Sequence, residues 1–256
     1  MRTLLALALS ASIVACPFTA YAAQTEEGIA VYQEMLAQSN SLGDIHAYYD
    51  MTLGMSGSVM DGSDLNMRVE MDLRMTDTND LTQMRFLGYN RLSLLGEQMD
   101  LSLYYANDWL YMEMDGQKVK TEMPLSLVQS SYDTTQDYAS LLNSVSFMKD
   151  LSVSHDGDNR ILSYRMDDSK INQLLQAVLQ SSGTAMNGAS ITVSNVYGEY
   201  VVLPNGYYSS ATIHMQMNMT YEGETINMNI DGSIGIPNPG ETVEIQAPDL
   251  SGYTAA

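Results

Sequence analysis

The chain has 256 residues, of which 45% are hydrophobic and 16% are charged, and it carries 31 Asp and Glu against 11 Lys and Arg. The hydrophobic content is enough for a sizeable core, and the low charge density argues against intrinsic disorder. The formal net charge of −20 makes a surface that repels phosphate backbones and anionic membrane leaflets, which argues against nucleic acid as a partner.

The first 22 residues have the pattern of an export signal. Met1-Arg2 is a short basic start, an apolar stretch runs from Leu4 to Ala15, and Ala20-Tyr21-Ala22 is a small-x-small cleavage site. The apolar stretch is too short to span a bilayer. We therefore expect a mature chain of residues 23–256 that is exported and has no transmembrane helix.

Cys16 is the only cysteine and allows a second interpretation of this segment. Ile13-Val14-Ala15-Cys16 resembles a bacterial lipobox, which predicts lipidation of Cys16 and anchoring to the outer face of a membrane. Pro17, directly after it, favours ordinary secretion. Both interpretations stay open, and in either case the mature chain has no disulfide and depends on core packing.

The first element predicted after the signal is a helix over residues 24–41, because Ile29, Tyr32 and Met35 recur at helical spacing. A series of strands follows, predicted over residues 46–58, 65–75, 82–92, 99–105 and 110–114. Short turns separate them, and Asp115-Gly116 is a two-residue hairpin signal. This succession predicts an antiparallel meander.

The second half of the chain mixes helices and strands. Residues 127–148 are predicted to be helical, residues 151–166 to form a hairpin, and Asp168 to Gly183 to form an amphipathic helix. Strands are predicted again over residues 191–196, 199–203, 213–221 and 226–230, with Asn205-Gly206 as a type I′ turn. No linker divides the chain, so one domain is predicted over residues 23–256.

Methionine alternates with polar residues along the clearest strands. Residues 65–75 and 213–221 each place their apolar side chains at every second position, which is the period of a half-buried strand. Most sheet cores use stiff β-branched side chains, whereas methionine is flexible and suits an apolar surface that must fit varied shapes. The pattern has two interpretations: a wall that lines an apolar cavity, or a filled core in which Met replaces Leu.

Motifs for catalysis and metal binding are weak. Ser146-Phe147-Met148-Lys149 fits Ser-x-x-Lys, but its companion motifs are missing. Asp156-Gly157-Asp158-Asn159 faintly resembles a calcium loop and fits a plain hairpin turn better. The three histidines are far apart in sequence. We therefore expect no enzymatic activity, no cofactor and no metal site.

Four aromatic residues cluster around one turn. Tyr104, Tyr105, Trp109 and Tyr111 would stack on sugars if exposed, but such residues more often close the end of a sheet core.

The order of elements resembles the LolA/LppX-like envelope proteins, and more closely a family of small exported lipoproteins of unknown function from Gram-positive anaerobes. The resemblance rests on the hairpin and helix of Leu151–Leu179, the hairpin of Met215–Ile230, and the closing segment Ile236–Ile245 followed by Pro248-Asp249-Leu250. It implies an α+β, mainly β fold, in which a strongly curved antiparallel sheet, an incomplete barrel, wraps a few helices and holds a lipid or acyl chain.

Together, the residues and the resemblance predict an extracytoplasmic, non-enzymatic binding protein with a Met-lined apolar cavity. Its expected ligand is a lipid or another hydrophobic molecule, with other envelope proteins as further partners. The alternative is a structural or interaction module of the cell envelope whose methionines are only core. The predicted lining residues are Met67, Met71, Met75, Met112, Met114, Met215, Met217, Met219 and Met228.

Overall fold

The computed structural model describes residues 24–58, 64–128, 145–181, 189–221 and 223–255. The predicted signal segment, residues 1–22 with Cys16, lies outside these ranges. So do Asp61-Gly62, Gly183 and most of the helix predicted over residues 127–148.

Most of the described chain is β-strand, with two helices of fourteen residues each, α1 (Glu26–Ser39) and α2 (Asp168–Ser181). A helical turn at 125–128 and a 3-10 turn at Val145–Phe147 are the described parts of the segment predicted as a helix over residues 127–148. In chain order the strands are β1 (Ile45–Gly57), β2 (Leu65–Thr76), β3 (Arg85–Leu94), β4 (Glu97–Ala106), β5 (Trp109–Met114), β6 (Gln117–Glu122), β7 (Met148–Asp156), β8 (Asn159–Met166), β9 (Ala189–Val202), β10 (Tyr208–Tyr221), β11 (Glu224–Gly235) and β12 (Thr254–Ala255).

All twelve strands belong to one sheet, in the order β12-β6-β5-β4-β3-β2-β1-β11-β10-β9-β8-β7. Two meanders, β1 to β6 and β7 to β11, meet where β1 pairs with β11. Every neighbouring pair is antiparallel except β12 and β6, which are parallel. The sheet does not close into a barrel, and the predicted α+β, mainly β fold is confirmed.

Tight turns set the register of the first meander. Both central residues have positive φ in Leu95-Gly96, Asn107-Asp108 and Asp115-Gly116, as a type I′ turn requires. The hairpin predicted at Asp115-Gly116 is therefore confirmed. The type I′ turn predicted at Asn205-Gly206 is wrong: only Gly206 has positive φ, because its N–H donates to the Leu203 carbonyl and closes a wider turn around Pro204.

Two strand boundaries differ from the prediction for local reasons. The third strand begins at Arg85, not at Thr82, because backbone hydrogen bonds over residues 80–84 form successive turns. The two strands predicted over residues 191–196 and 199–203 are one continuous strand, β9. Asn195 has a φ of 54° and the register with β10 shifts beside it. A bulge of this kind offsets the side-chain alternation without ending the strand.

Helix α1 is capped and held against one end of the sheet. The hydroxyl of Thr25 accepts a hydrogen bond from the Gly28 N–H at 3.0 Å, which satisfies a free amide of the first turn. A Cβ at Gly28 would lie 2.9 Å from the Leu151 carbonyl oxygen, so glycine permits this close approach to β7. On the far side, Arg160 donates to Glu34 at 2.6 Å. The helix is thereby fixed over β7 and β8.

Candidate functional site: the methionine face

The strand register brings the predicted methionines together. Directly paired residues of neighbouring strands point to the same side of a sheet, and chains of such pairs connect β10, β11 and β1 to β5. All nine predicted residues lie on one face: Met67, Met71, Met75, Met112, Met114, Met215, Met217, Met219 and Met228. Met51, Met55 and Met99 share this face, which we call the methionine face.

The opposite face, here called the polar face, carries a ladder of ion pairs across the same strands. Arg68 donates to Asp50 at 2.6 and 2.9 Å, and Arg91 donates to Asp100 at 2.8 Å. The hydrogen bonds from these guanidinium groups lower the pKa of each carboxyl group below its usual value. Burial opposes this shift, and the positive charge of the guanidinium adds a smaller lowering effect. Most charged side chains of these strands therefore point away from the methionine face, and the exceptions, Glu97 and Glu224, lie at strand ends.

Helix α1 closes the methionine face at the β7–β8 edge. Its residues Val31, Tyr32 and Met35 pack with Leu151 and Leu162 of these strands. Four of these five side chains are fully buried, with Val31 at 5% exposure. This end of the sheet is an ordinary closed core, which we call the α1 core.

Helix α2 covers the next part of the face. Ile171 and Leu175 pack against a buried cluster of Met166, Val193 and Val196. Met215 and Met217 of β10 also contact this cluster. Two of the predicted methionines are therefore partly covered by a helix, as the predicted architecture requires.

The β3–β5 end of the methionine face is covered by loop residues. Met84 packs with Tyr105 and Leu110, and Leu81, Met123 and Val128 contact the same cluster. Met75 and Met112 lie in this group. These two predicted methionines thus contribute to a packed end of the sheet.

The middle of the methionine face has a different composition. A cluster around buried Leu53, Met67 and Ile230, here called the central cluster, is formed by side chains of β1, β2, β3, β10 and β11 alone. No described helix or loop residue belongs to it. Its half-buried members are Met51, Met55, Val69, Leu92, Leu94, Met215 and Met228.

The predicted residues differ in exposure. Met67 is 6% exposed and belongs to the buried part of the central cluster, whereas Met114, at the end of β5, is 42% exposed. The remaining seven are half-buried. These methionines are therefore neither fully buried nor fully exposed. They lie between the end of the sheet that is covered by helices and the end that is covered by loop residues.

An open groove of about 740 Å³ lies across β1 to β4, β10 and β11. Most of its side chains belong to the polar face, including Tyr48 and Tyr89, each about half exposed. Met71 borders the groove, although the register directs its side chain to the methionine face. The sequence did not predict this groove, because it depends on which strands become neighbours.

Each carboxylate that lines the groove is paired with a basic side chain in or beside it. Asp50 binds Arg68, and Asp100 binds Arg91. Asp72 lies 3.0 Å from the His46 ring and 3.5 Å from Arg74. Because these groups neutralise each other locally, the groove is polar without being an anion or cation trap.

The aromatic cluster at the turn between β4 and β5 is packed on both sides of the sheet. Tyr105 is 2% exposed and stacks on Phe86 on the methionine face. Tyr104, 6% exposed, lies under Ile245 on the polar face. The interpretation as the closed end of a sheet core is confirmed for Tyr104 and Tyr105, whereas Trp109 and Tyr111 are half-buried. Residues 243–245 cover this part of the polar face without joining the sheet.

Residues considered for chemistry are dispersed. Ser146 belongs to the 3-10 turn and Lys149 to β7, so the two do not share a helix. Residues 156–159 form a two-residue hairpin turn between β7 and β8. Within the described ranges, no group of three or more His, Cys, Asp or Glu side chains is arranged to hold a metal ion. No helix in the described part of the chain is long and apolar enough to cross a membrane.

Comparisons with solved structures show distant similarity. The fold is similar to that of LprF from Mycobacterium bovis, with 11% identity and a TM-score of 0.47 over 89% of this chain and 99% of that chain. A DUF1329 family protein from Desulfovibrio piger has 10% identity and a TM-score of 0.26 over 83% and 94% of the two chains. The YwiB protein from Bacillus subtilis has 9% identity and a TM-score of 0.25, over 78% of this chain and 99% of that chain. Likeness at this level supports no argument about ligand or activity.

Comparison with curated proteins gives no match. One family model does match, and it spans residues 28–250, from the first turn of α1 to the segment that follows the last long strand. Because that match covers most of the sequence, the chain belongs to DUF6612, a family of unknown function.

Proposed function

We propose that the protein binds a lipid or another hydrophobic molecule on the methionine face, over the central cluster. The observation that carries this proposal is that, among the described residues, the central cluster is built from strand side chains, most of which stay half-buried between covered ends. An apolar sheet face is ordinarily covered by another layer. A bound acyl chain supplies that layer.

The energetics favour such a ligand. Each methylene that leaves water for an apolar surface contributes about 0.8 kcal/mol, so a chain lying across several strands gains appreciable affinity. Methionine side chains adapt to irregular shapes because they are unbranched and polarizable. A face lined by methionine therefore tolerates ligands of varied length and branching, as a carrier or sensor of hydrophobic molecules needs.

The proposed activity is binding without chemistry, in an extracytoplasmic location. The protein is either secreted after cleavage at Ala22 or anchored through Cys16 to the outer face of the membrane, as the small exported lipoproteins of Gram-positive anaerobes are. Its strongly acidic surface would keep a loaded carrier from adhering to anionic lipid. Other envelope proteins would load it or receive its ligand.

The first experiment identifies what the protein carries. The protein is purified from its native source under mild conditions and extracted with organic solvent, and the extract is examined by mass spectrometry. A stoichiometric apolar molecule supports the proposal. An empty extract from folded protein favours the alternative, a structural or interaction module whose methionines are core.

A matched pair of variants then locates the site. Met51→Asp places a carboxylate in the central cluster, whereas Thr52→Asp places the same group one residue away on the exposed polar face. We expect the first variant to lose fluorescence enhancement of a hydrophobic dye and the second to keep it, with both retaining the wild-type circular dichroism spectrum. Equal enhancement in the two variants would exclude the methionine face as the site.

A further inference from the structure

Three methionines stand side by side across three adjacent strands of the sheet. Met228 of β11 pairs directly with Met55 of β1 on one side and with Met217 of β10 on the other. Directly opposite side chains on one sheet face have Cβ atoms about 4.5–5.5 Å apart. This row is therefore an array of three thioethers at neighbouring positions.

We propose that Met55, Met217 and Met228 form a binding site for a soft monovalent metal ion, Cu⁺ or its chemical analogue Ag⁺. Thioether sulfur is a soft, uncharged ligand that selects Cu⁺ over hard cations such as Mg²⁺ and Ca²⁺. Beside this row the His and Asp side chains, of the kinds that bind Zn²⁺ and Ca²⁺, are directed to the other side of the sheet, as His214 and Asp231 show, and Glu224 is at the far end of β11. The site is therefore sulfur-only.

The geometry allows the three sulfurs to converge. Each Sδ lies two bonds beyond its Cβ, so rotation about χ1 turns the outer two sulfurs, from Met55 and Met217, toward the middle residue Met228. Methionine has flexible torsions that permit this adjustment. Met215 and Met219 flank Met217 on the same face of β10. They supply further sulfur ligands diagonal to Met228.

Access and charge also fit a small cation. All three side chains are half-buried, so the sulfurs are reachable while Leu53 and Ile230, both buried beside them, limit water. The chain as a whole has a formal charge of −20, and a field of that sign raises the local concentration of cations. Because the thioether ligands are uncharged, they favour soft monovalent ions over hard divalent cations.

A metal site explains why these positions carry methionine and not leucine, which lipid binding alone does not explain. Leucine and methionine have similar volume and are often exchanged at small cost, so an apolar ligand has no strict need for sulfur. A soft metal ion does. The metal site therefore stands independently of the proposed lipid binding, and a Met→Leu exchange separates the two.

The test uses Ag⁺ as a probe that does not change oxidation state. Calorimetric titrations are made on the purified protein carrying Cys16→Ser, so that a thiol does not compete. Met228→Leu removes the middle sulfur, and Met71→Leu removes a sulfur from the same face where its direct partners are Tyr49 and Asn90. We expect Met228→Leu to weaken Ag⁺ binding at least about tenfold and Met71→Leu to leave it unchanged.

Two further measurements make the result decisive. Zn²⁺ added in excess should not displace Ag⁺, and hydrophobic dye enhancement should be the same in Met228→Leu as in the parent protein. Failure of the parent protein to bind Ag⁺, or equal losses in both variants, would overturn the metal site while leaving lipid binding intact. Ag⁺ binding without any dye enhancement would instead support the metal site and contradict the proposed function.

Discussion

The α1 core and the central cluster lie on the same face of the same sheet, yet they are packed in different ways. In the α1 core, Leu151 and Leu162 are fully buried under Tyr32 and Met35. In the central cluster, seven side chains are half-buried and its described members are all strand residues, of which Met215 also contacts the cluster under α2. Alternation along a strand places a residue on the apolar face, but the burial of that residue depends on whether a helix or a loop lies above it.

The two regions also differ in side-chain type. The strand part of the α1 core is mostly Leu, Val and Tyr, with Met148. Methionine is more frequent in the central cluster than in the strand part of the α1 core, and it is also frequent at the loop-covered end of the face. Stiff side chains suit a surface with one fixed partner, whereas methionine suits a surface whose partner varies. The following predictions test this contrast.

The largest expected effect is a difference in the free energy of unfolding between two truncations. Leu162→Ala leaves a cavity in a fully buried site and should cost about 2–5 kcal/mol. Met228→Ala removes a half-buried side chain and should cost less than about 1.5 kcal/mol, because less area is transferred to water. Urea denaturation of both variants measures the difference. Equal losses would mean that the central cluster is as closed as the α1 core.

A glycine pair tests the packing at the edge of the α1 core. A Cβ at Gly198 would overlap the Thr212 carbonyl oxygen and the Tyr164 ring, whose hydroxyl donates to that oxygen at 2.6 Å. Gly198→Ala should therefore destabilise the protein by about 1–3 kcal/mol. Gly235→Ala, with nothing within 4 Å of its Cβ, is the control and should change stability by less than about 0.5 kcal/mol. Thermal unfolding of the two variants gives the comparison, and a destabilised control would contradict it.

The methionines of the central cluster should be oxidised faster than those of the α1 core. Dilute peroxide converts accessible thioethers to sulfoxides. Met99 and Met114, each about 40% exposed, should react first and the half-buried Met55 and Met228 next. Met35 and Met148, both fully buried, should react several-fold more slowly. Peptide mapping by mass spectrometry at timed intervals gives the order, and a uniform rate would remove the distinction between open and closed regions.

The smallest expected effect concerns the attachment of α1. The hydrogen bond from Arg160 lowers the pKa of Glu34 below its usual value; burial opposes this shift, and the charge of Arg160 adds a smaller lowering effect. A lowered pKa in the folded state adds stability above the pKa of the unfolded chain, and that stability disappears as the pH falls through the folded value. Because Glu34 is 43% exposed, the gain is about 0.5 kcal/mol.

Urea midpoints of the wild type and Glu34→Gln, measured from neutral pH down to about pH 3, test this contribution. The wild type should be slightly more stable at neutral pH, and the two curves should converge in acid. A constant difference across the whole range would show that the ion pair does not hold α1 on the sheet.

Much of the fold followed from local patterns. Alternation along residues 65–75 and 213–221 predicted two long strands, and positive φ at Asp115-Gly116 confirmed a turn expected from residue types alone. Predictions failed where the pattern was interrupted. At Asn195 a bulge shifted the alternation within a strand that continues, and around Asn205 the turn used Pro204 and a carbonyl at Leu203.

The candidate site was predicted only in part, for a reason of topology. Each of the nine methionines could be assigned to an apolar strand face from its own strand. Met55, Met217 and Met228 form one row only because β1 pairs with β11. These two strands are separated in sequence by most of the chain. The groove on the polar face depends on the same pairing.

Local residue patterns were enough to predict the strand period, the hairpin turn at Asp115-Gly116 and the side of the sheet to which each methionine points, because these properties depend on neighbouring residues. The tertiary structure alone decided which strands lie together, which part of the apolar face the helices cover, and therefore which methionines stay half-buried. Such contacts join residues far apart in the chain. Which of these contacts form depends on the total apolar area buried and on the entropy of closing long loops. A local sequence pattern contains no information about either quantity.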